Sequence, residues 1–182
     1  MASTIDILVQ HLEKCHDDLR VAVQSVPFSA REEEPPGGGW SVAPVIEHLA
    51  HTDRVFTQLL AKYIGDLRGQ PADHVDAAGL LRRRRLLAAL DRNTRVESQD
   101  WILPVQNWTA DEALRNLDEA RRSLLRMIRS AEGVPLSTAT YPHFVLGELN
   151  LYEWIGFVGY HELRHAAQIR EIGIALGCTP AT

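Results

Sequence analysis

The fold of this chain is decided by one stretch near its C-terminus, Asn150-Leu-Tyr-Glu-Trp-Ile-Gly-Phe-Val-Gly-Tyr-His161-Glu162-Leu-Arg-His165-Ala-Ala-Gln168-Ile-Arg-Glu-Ile172. Its apolar residues recur at the three- and four-residue spacing of an amphipathic helix: Leu151, Trp154, Ile155, Val158, Ile169, Ile172 and Leu176. Asn150 followed by Glu153 predicts an N-cap with its capping-box partner. Gly173 and Gly177 predict an end near the last apolar residues.

Two histidines lie inside the apolar stripe of this helix. At about 100° per residue, His161 and His165 fall one turn apart on that stripe, with Gln168 at its edge. Burying a polar group without a partner costs roughly 1–3 kcal/mol, so a core-facing imidazole needs a reason. Hydrogen-bonded core histidines are one reason. Two imidazoles at positions i and i+4 can also converge on a metal ion, which is the interpretation we favour.

The composition describes a single domain, 1–182, of ordinary size. Apolar residues make up 45% of the chain and charged residues 24%, a globular balance. The formal net charge of −5 argues against a nucleic-acid-binding surface, which needs clustered Lys and Arg. No apolar run approaches the roughly 20 residues of a membrane span, and the first residues do not resemble a signal peptide. Cys15 and Cys178 form no disulfide framework, so we expect a cytoplasmic protein with free thiols.

The first two helices each carry histidines that the helical wheel separates. Residues 4–26 show helical spacing with His16 in mid-stripe, where we expect a hydrogen-bonded histidine rather than a ligand. Ser41 is the expected N-cap of the second helix. On that helix His48 borders the apolar stripe, whereas His51 is rotated about 60° further toward solvent. His48 is therefore the inward candidate and His51 a surface residue.

The third helix begins at the capping box Thr109-Ala-Asp-Glu112 and runs to about Ala131. Arg121 falls inside its apolar stripe, which is unusual for a cation without a partner. Glu162 is the matching charged residue on the last helix, so an Arg121–Glu162 ion pair is predicted.

Loops rich in Gly and Pro separate these helices. Within 65–108 a short helix is predicted at Leu80–Asn93, and 133–149 is predicted to be a loop. The sum is an all-α four-helix bundle with long loops between helices 1 and 2, 2 and 3, and 3 and 4. Metal sites in bundles are built from inward side chains on facing helices, and His48, His161 and His165 fit that construction.

His161-Glu-Leu-Arg-His165 also matches the HExxH motif of zinc proteases. The metzincin continuation needs a Gly and a third His, and residues 166–171 offer neither. No β-rich half precedes the motif, so we prefer the bundle interpretation.

Two blocks of the sequence resemble the DinB-like (YfiT-like) superfamily of metal-dependent four-helix-bundle enzymes. Trp40-Ser-Val-Ala-Pro-Val-Ile-Glu-His48-Leu is similar to that family's opening of the second helix. The segment His143–Trp154, followed by His161-Glu-Leu-Arg-His165-Ala-Ala-Gln168-Ile, is similar to its last-helix signature. The resemblance covers nearly the whole chain. It implies one divalent metal, nickel or zinc, on His48, His161 and His165, the same three residues that the helical wheels select.

The resemblance also implies an activity. Related enzymes include thiol-dependent transferases and isomerases, so we expect a metal that activates a low-molecular-weight thiol or a water toward a small electrophilic substrate. Glu162 is a candidate base, although an ion pair with an arginine is the preferred interpretation. Gln168 is expected to orient His165 or a bound water. A homodimer is expected from the resemblance, and a bundle that binds a metal or ligand without turnover, or that only dimerises, remains the alternative.

Overall fold

The structure, a computed structural model, describes residues 2–93 and 102–178. In chain order the elements are α1 (Thr4–Gln24), α2 (Val42–Leu67), α3 (Ala77–Leu81), α4 (Arg84–Leu87), α5 (Ala110–Arg129), β1 (Thr140–His143), β2 (Gly147–Asn150) and α6 (Leu151–Ala175), with 3₁₀ turns at Phe28–Ala30 and Ala88–Leu90.

The four long helices form a four-helix bundle, as predicted. They associate as two pairs, because α1 packs mainly along α6 and α2 mainly along α5. The predicted capping boxes begin the helices in both pairs. Thr109 accepts from the Glu112 N–H at the start of α5, and Asn150 accepts from the Glu153 N–H at the start of α6. Each cap satisfies backbone donors that a helix N-terminus leaves unpaired.

The connection from α5 to α6 is not the plain loop that the sequence predicted. It contains an antiparallel hairpin in which Thr140 faces Asn150 and His143 faces Gly147. Both strands are four residues long and largely exposed, and Pro142 interrupts the first. Such short strands give too little alternation of apolar and polar residues for a strand prediction. The hairpin leads directly into α6 and places His143 against that helix.

The connection from α2 to α5 also differs from the prediction. The second helix continues through Gly65 to Leu67. The single short helix predicted at Leu80–Asn93 is instead α3, α4 and a 3₁₀ turn, which end by Leu90. Leu80 and Leu86 anchor these segments in the core. The segment packs across α6 and forms one wall of the cavity described below.

A buried polar layer divides the apolar core into two clusters. One cluster contains Leu8, Leu60, Leu124 and Ile155, and the other contains Leu19, Ile46, Leu117 and Ile169. On each long helix one polar residue lies between the two apolar sets, and these four residues form the layer: His16, Asp53, Arg121 and Glu162.

Within the described residues, none of the helices is both long enough and apolar enough to span a lipid bilayer.

Candidate metal centre

Three imidazoles from two helices converge at one point. The Nε2 atom of His161 lies 3.3 Å from Nε2 of His48 and 3.1 Å from Nε2 of His165. One ligand atom from each of the three residues lies within 4.8 Å of the others. Because His161 and His165 lie one turn apart on α6 and His48 on the facing α2, the bundle itself brings the three rings together.

The tautomers of two of these rings are fixed by their outer nitrogens. Nδ1–H of His48 donates to the carbonyl oxygen of Ile102 at 3.0 Å. Nδ1–H of His165 donates to Oε1 of Gln168 at 2.7 Å. A neutral imidazole that donates through Nδ1 presents a lone pair on Nε2. Outer hydrogen bonds of this kind orient histidine ligands in metal sites.

Burial keeps the three rings neutral at physiological pH. It lowers the pKa of His48 to about 4, opposed by the bond to the Ile102 carbonyl. Burial also lowers the pKa of His161 and of His165 well below the ordinary value, and the neighbouring imidazoles add to the effect. Neutral imidazole is the form of histidine that binds metals.

The geometry fits a cation. His48 and His165 each direct an Nε2 lone pair toward Nε2 of His161, which carries at most one hydrogen. One of the two nitrogen–nitrogen contacts is therefore left without a proton. A divalent ion accepts all three lone pairs at once, and three nitrogen ligands leave positions open for water or substrate.

The histidine cluster lies at the wall of a cavity of about 640 Å³. Its apolar surface includes Trp40, which precedes the N-cap of α2, and Phe157 from α6. The polar lining residues, besides the three histidines, are Asp91, Arg92, His143, Arg164 and Gln168. A cavity of this size and character suits a small molecule with an apolar body and a few polar groups.

The wheel separates the α2 histidines as the structure does. His48 is 2% exposed, whereas His51 is half-buried and lies outside the cluster. The His51 ring stacks on Trp108 and lies near Glu47 instead. Gln168 makes the predicted contact to His165.

Glu162 faces the polar layer rather than the cavity. Its carboxylate accepts from Nδ1 of His16 at 2.8 Å, and its second oxygen lies 2.8 Å from Nη1 of Arg121 without the alignment of a hydrogen bond. The predicted Arg121–Glu162 ion pair is therefore present. Glu162 is fully buried and is absent from the cavity lining. This placement supports the ion-pair interpretation of Glu162, and it speaks against the HExxH protease interpretation, which needs this carboxylate at the metal.

Two further members complete the polar layer. Asp53 accepts from Arg121 through both carboxylate oxygens, at 2.7 and 3.2 Å. His16 is hydrogen-bonded at both ring nitrogens, as expected. Its Nδ1 bonds to Glu162, and its Nε2 lies 2.9 Å from Oδ1 of Asp118. Burial alone would lower the pKa of His16, but the carboxylates of Glu162 and Asp118 raise it overall. The pairing of Asp53 with Arg121 could have been predicted from the sequence, because Asp53 lies in the apolar stripe of α2 as Arg121 does in that of α5.

His143 is a cavity residue whose place in the site the sequence did not reveal. It is 7% exposed and its ring packs edge-on against Phe157, with centroids 4.4 Å apart. The sequence predicted a loop at 133–149, and a loop has no periodicity that indicates which way a side chain points. Only the hairpin brings it to α6.

The family assignment follows from comparison with known proteins. The sequence model of the DinB superfamily matches residues 11–169. The chain belongs to the DinB superfamily. This confirms the resemblance seen in the two histidine-bearing blocks.

One protein is similar to this DinB protein in sequence, and two solved structures are similar to it in fold. The uncharacterized protein YuaE of Bacillus subtilis is 28% identical over 141 residues, which are 77% of this chain and 81% of YuaE. The crystal structure of TT2238, a four-helix bundle protein, has a TM-score of 0.55 at 23% identity, with 90% of this chain and 94% of that chain covered. YfiT from Bacillus subtilis has a TM-score of 0.59 at 18% identity, with 98% and 92% covered. These two structures support the four-helix bundle fold.

Proposed function

We propose that this protein is a metal-dependent enzyme that holds one divalent cation, nickel or zinc, on His48, His161 and His165. The observation that carries the proposal is the convergence of three Nε2 atoms at the wall of a small-molecule cavity. YfiT, which shares the fold, is described as a probable metal-dependent hydrolase with an unusual four-helix bundle topology. Hydrolysis is therefore the first reaction to test.

A divalent ion held on three imidazoles acts as a Lewis acid and lowers the pKa of water or a thiol, so that a nucleophile is available near neutral pH. The chain's own residues prepare the site. Gln168 and the Ile102 carbonyl hold two of the rings in the tautomer that presents Nε2. Trp40 and Phe157 line the cavity with apolar surface, which favours a small electrophile with an apolar body. The same centre would serve a small thiol used in place of water.

The first test is metal analysis by mass spectrometry of the purified protein, before and after exchange with nickel or zinc. We expect about one ion per chain in the wild type and none in His48→Ala, His161→Ala or His165→Ala. His51→Ala is the matched control on the same helix and is expected to retain the metal. Circular dichroism verifies that each variant is folded.

The outcomes separate the candidate functions. No ion in the wild type even after exchange would overturn the proposal. Loss of the ion from the His51 variant alone would contradict the assignment of His48. A bound ion allows a screen of ester and amide hydrolysis, with and without an added low-molecular-weight thiol. A bound ion with no turnover in that screen supports the binding bundle instead of an enzyme.

A further inference from the structure

His143 lies at the cavity with one ring nitrogen engaged by its own hairpin. The backbone N–H groups of Val145 and Leu146 both donate to Nδ1 of His143, each at 3.1 Å. A nitrogen that accepts two hydrogen bonds carries no hydrogen. The neutral ring must therefore carry its hydrogen on Nε2, as a donor. Burial lowers the pKa of His143 to about 4, which keeps the ring neutral.

The Nε2–H group of His143 has no acceptor among the described residues. The ring packs against three aromatic side chains, with centroid distances of 4.8 Å to Phe144, 4.4 Å to Phe157 and 5.2 Å to Trp154. None of them offers an acceptor, because the only polar group, the indole N–H of Trp154, is a donor and is bonded to the carbonyl of Tyr141. The Nδ1 edge faces the hairpin turn, so the remaining polar edge of this cavity-lining ring is the Nε2 edge. Nε2 of His143 is not among the fully buried polar atoms, so its N–H is accessible from the cavity, where an acceptor oxygen of a bound molecule can take its hydrogen bond.

The position of His143 relates it to the histidine cluster. Phe157 contacts both sites, because its ring lies 4.4 Å from the ring of His143 and 5.4 Å from that of His161. The donor and the cluster therefore flank the same phenyl ring on one wall. A small molecule resting on Phe157 could reach both.

We propose that His143 binds the substrate by donating a hydrogen bond from Nε2 to a carbonyl or carboxylate oxygen. The inference rests on the proposed function for its choice of cavity, and it adds the chemical class of the substrate. The substrate is a small apolar molecule that bears an acceptor oxygen. One end of it meets the histidine cluster while His143 fixes the other.

Two substitutions separate the roles of the ring nitrogens. In His143→Asn, the amide oxygen takes the place of Nδ1 and preserves the acceptor for the hairpin, but the Nε2 donor is lost. In His143→Gln, the amide nitrogen takes the place of Nε2 and preserves the donor toward the cavity. Position 143 lies outside the cluster of three histidines, so metal content is expected to equal that of the wild type in both variants.

The experiment is a titration with benzoate, an apolar body carrying a carboxylate, followed by ¹⁵N–¹H spectra of the histidine side chains. We expect His143 in the Nε2–H tautomer, with its Nε2 resonance shifted by benzoate. His143→Asn is expected to bind benzoate roughly 10–100-fold more weakly than the wild type, whereas His143→Gln stays within about threefold. Benzylamine, which carries a cation in place of the acceptor, is the control and is expected not to shift the resonance.

The titration is run before and after chelator treatment, so that benzoate held by a cation on the histidine cluster is distinguished from benzoate held by His143. The proposal is overturned by an Nδ1–H tautomer, by equal benzoate affinity in His143→Asn and wild type, or by no benzoate binding in the wild type. Failure of the proposed function shows separately, as a wild-type protein that takes up no metal. The benzoate result stands in either case.

Discussion

Replacing Arg121 with leucine tests whether the polar layer is held by charge. Arg121 carries the one permanent positive charge among the four residues of the layer, and it is 2% exposed. It is hydrogen-bonded to Asp53 and ion-paired with Glu162, and both carboxylates are buried as well. Leucine keeps much of the volume and the helix propensity of α5 but leaves two buried carboxylates without a counter-ion.

The expected loss is large because removing one partner of a buried ion pair leaves an uncompensated charge, at a cost of about 3–5 kcal/mol. For a domain of this size, that corresponds to a fall in Tm of about 6–20 °C. The free energy of unfolding is measured by urea titration, followed by circular dichroism at 222 nm. The matched control is Arg129→Leu on the same helix, where the partner Glu13 and the arginine are both about half exposed. That loss is expected to be about 1 kcal/mol or less.

The loss should also depend on pH in a defined direction. Burial raises the pKa of Asp53, even though Arg121 opposes the shift, and removing Arg121 raises it further. A carboxyl whose folded pKa lies above its unfolded value destabilises the fold above the folded pKa and is relieved as the pH falls. The Arg121→Leu variant should therefore lose less stability at about pH 5 than at about pH 8. A loss within about 1 kcal/mol of the Arg129 control at both values would refute the ion-pair account, and would mean that the buried carboxyls carry protons in the native protein.

Three other perturbations probe the layer, the helix contact and the centre. The pKa of His16 is raised, so its stabilising charge is fully present below the ordinary value of 6.5 and is lost as the pH rises through the folded pKa. In urea titrations, His16→Gln should therefore lower the free energy of unfolding more at about pH 5.5 than at about pH 8.5. An equal loss at both pH values would contradict this assignment. A Cβ on Gly159 would lie 2.4 Å from Nε2 of His11, so Gly159→Ala should lower the free energy of unfolding by about 1–3 kcal/mol. The control is Gly65→Ala, where a Cβ meets no atom within 4 Å. This control should raise the free energy of unfolding by about 0.5–1 kcal/mol. Gln168→Ala removes the acceptor for His165 Nδ1–H and is expected to weaken metal binding 10–100-fold in a competition titration, and an unchanged affinity would show that the bond does not orient the ligand.

The helical wheel predicted which histidines the structure brings together, because each of them lies on a long, regular helix. His161 and His165 are one turn apart on α6, and the choice of His48 over His51 depended only on their angle to the apolar stripe. The Arg121–Glu162 pair was predicted for a similar reason, since two charged residues inside apolar stripes need each other. Periodicity therefore indicates which side chains enter the core, even when those side chains are polar.

Residues supplied by irregular segments could not be predicted in the same way. His143 reaches the cavity on a hairpin of two four-residue strands, and the Ile102 carbonyl reaches His48 from the connection before α5. Neither segment has a period that fixes the direction of its side chains or carbonyls. Their places depend on packing against α6 and α2, which only the assembled structure shows.

The three converging imidazoles also report on how the bundle is assembled. His48 belongs to the α2–α5 pair, whereas His161 and His165 belong to the α1–α6 pair. The 3.3 Å contact between Nε2 of His48 and Nε2 of His161 therefore spans the seam between the two helix pairs. A ligand that binds all three imidazoles links the two helix pairs across that seam. It stabilises the folded bundle by mass action, by about 2.7 kcal/mol at a hundredfold excess over its Kd. A thermal-shift screen of metal ions would therefore detect binding at the site as a rise in Tm of the whole bundle, before any substrate is known.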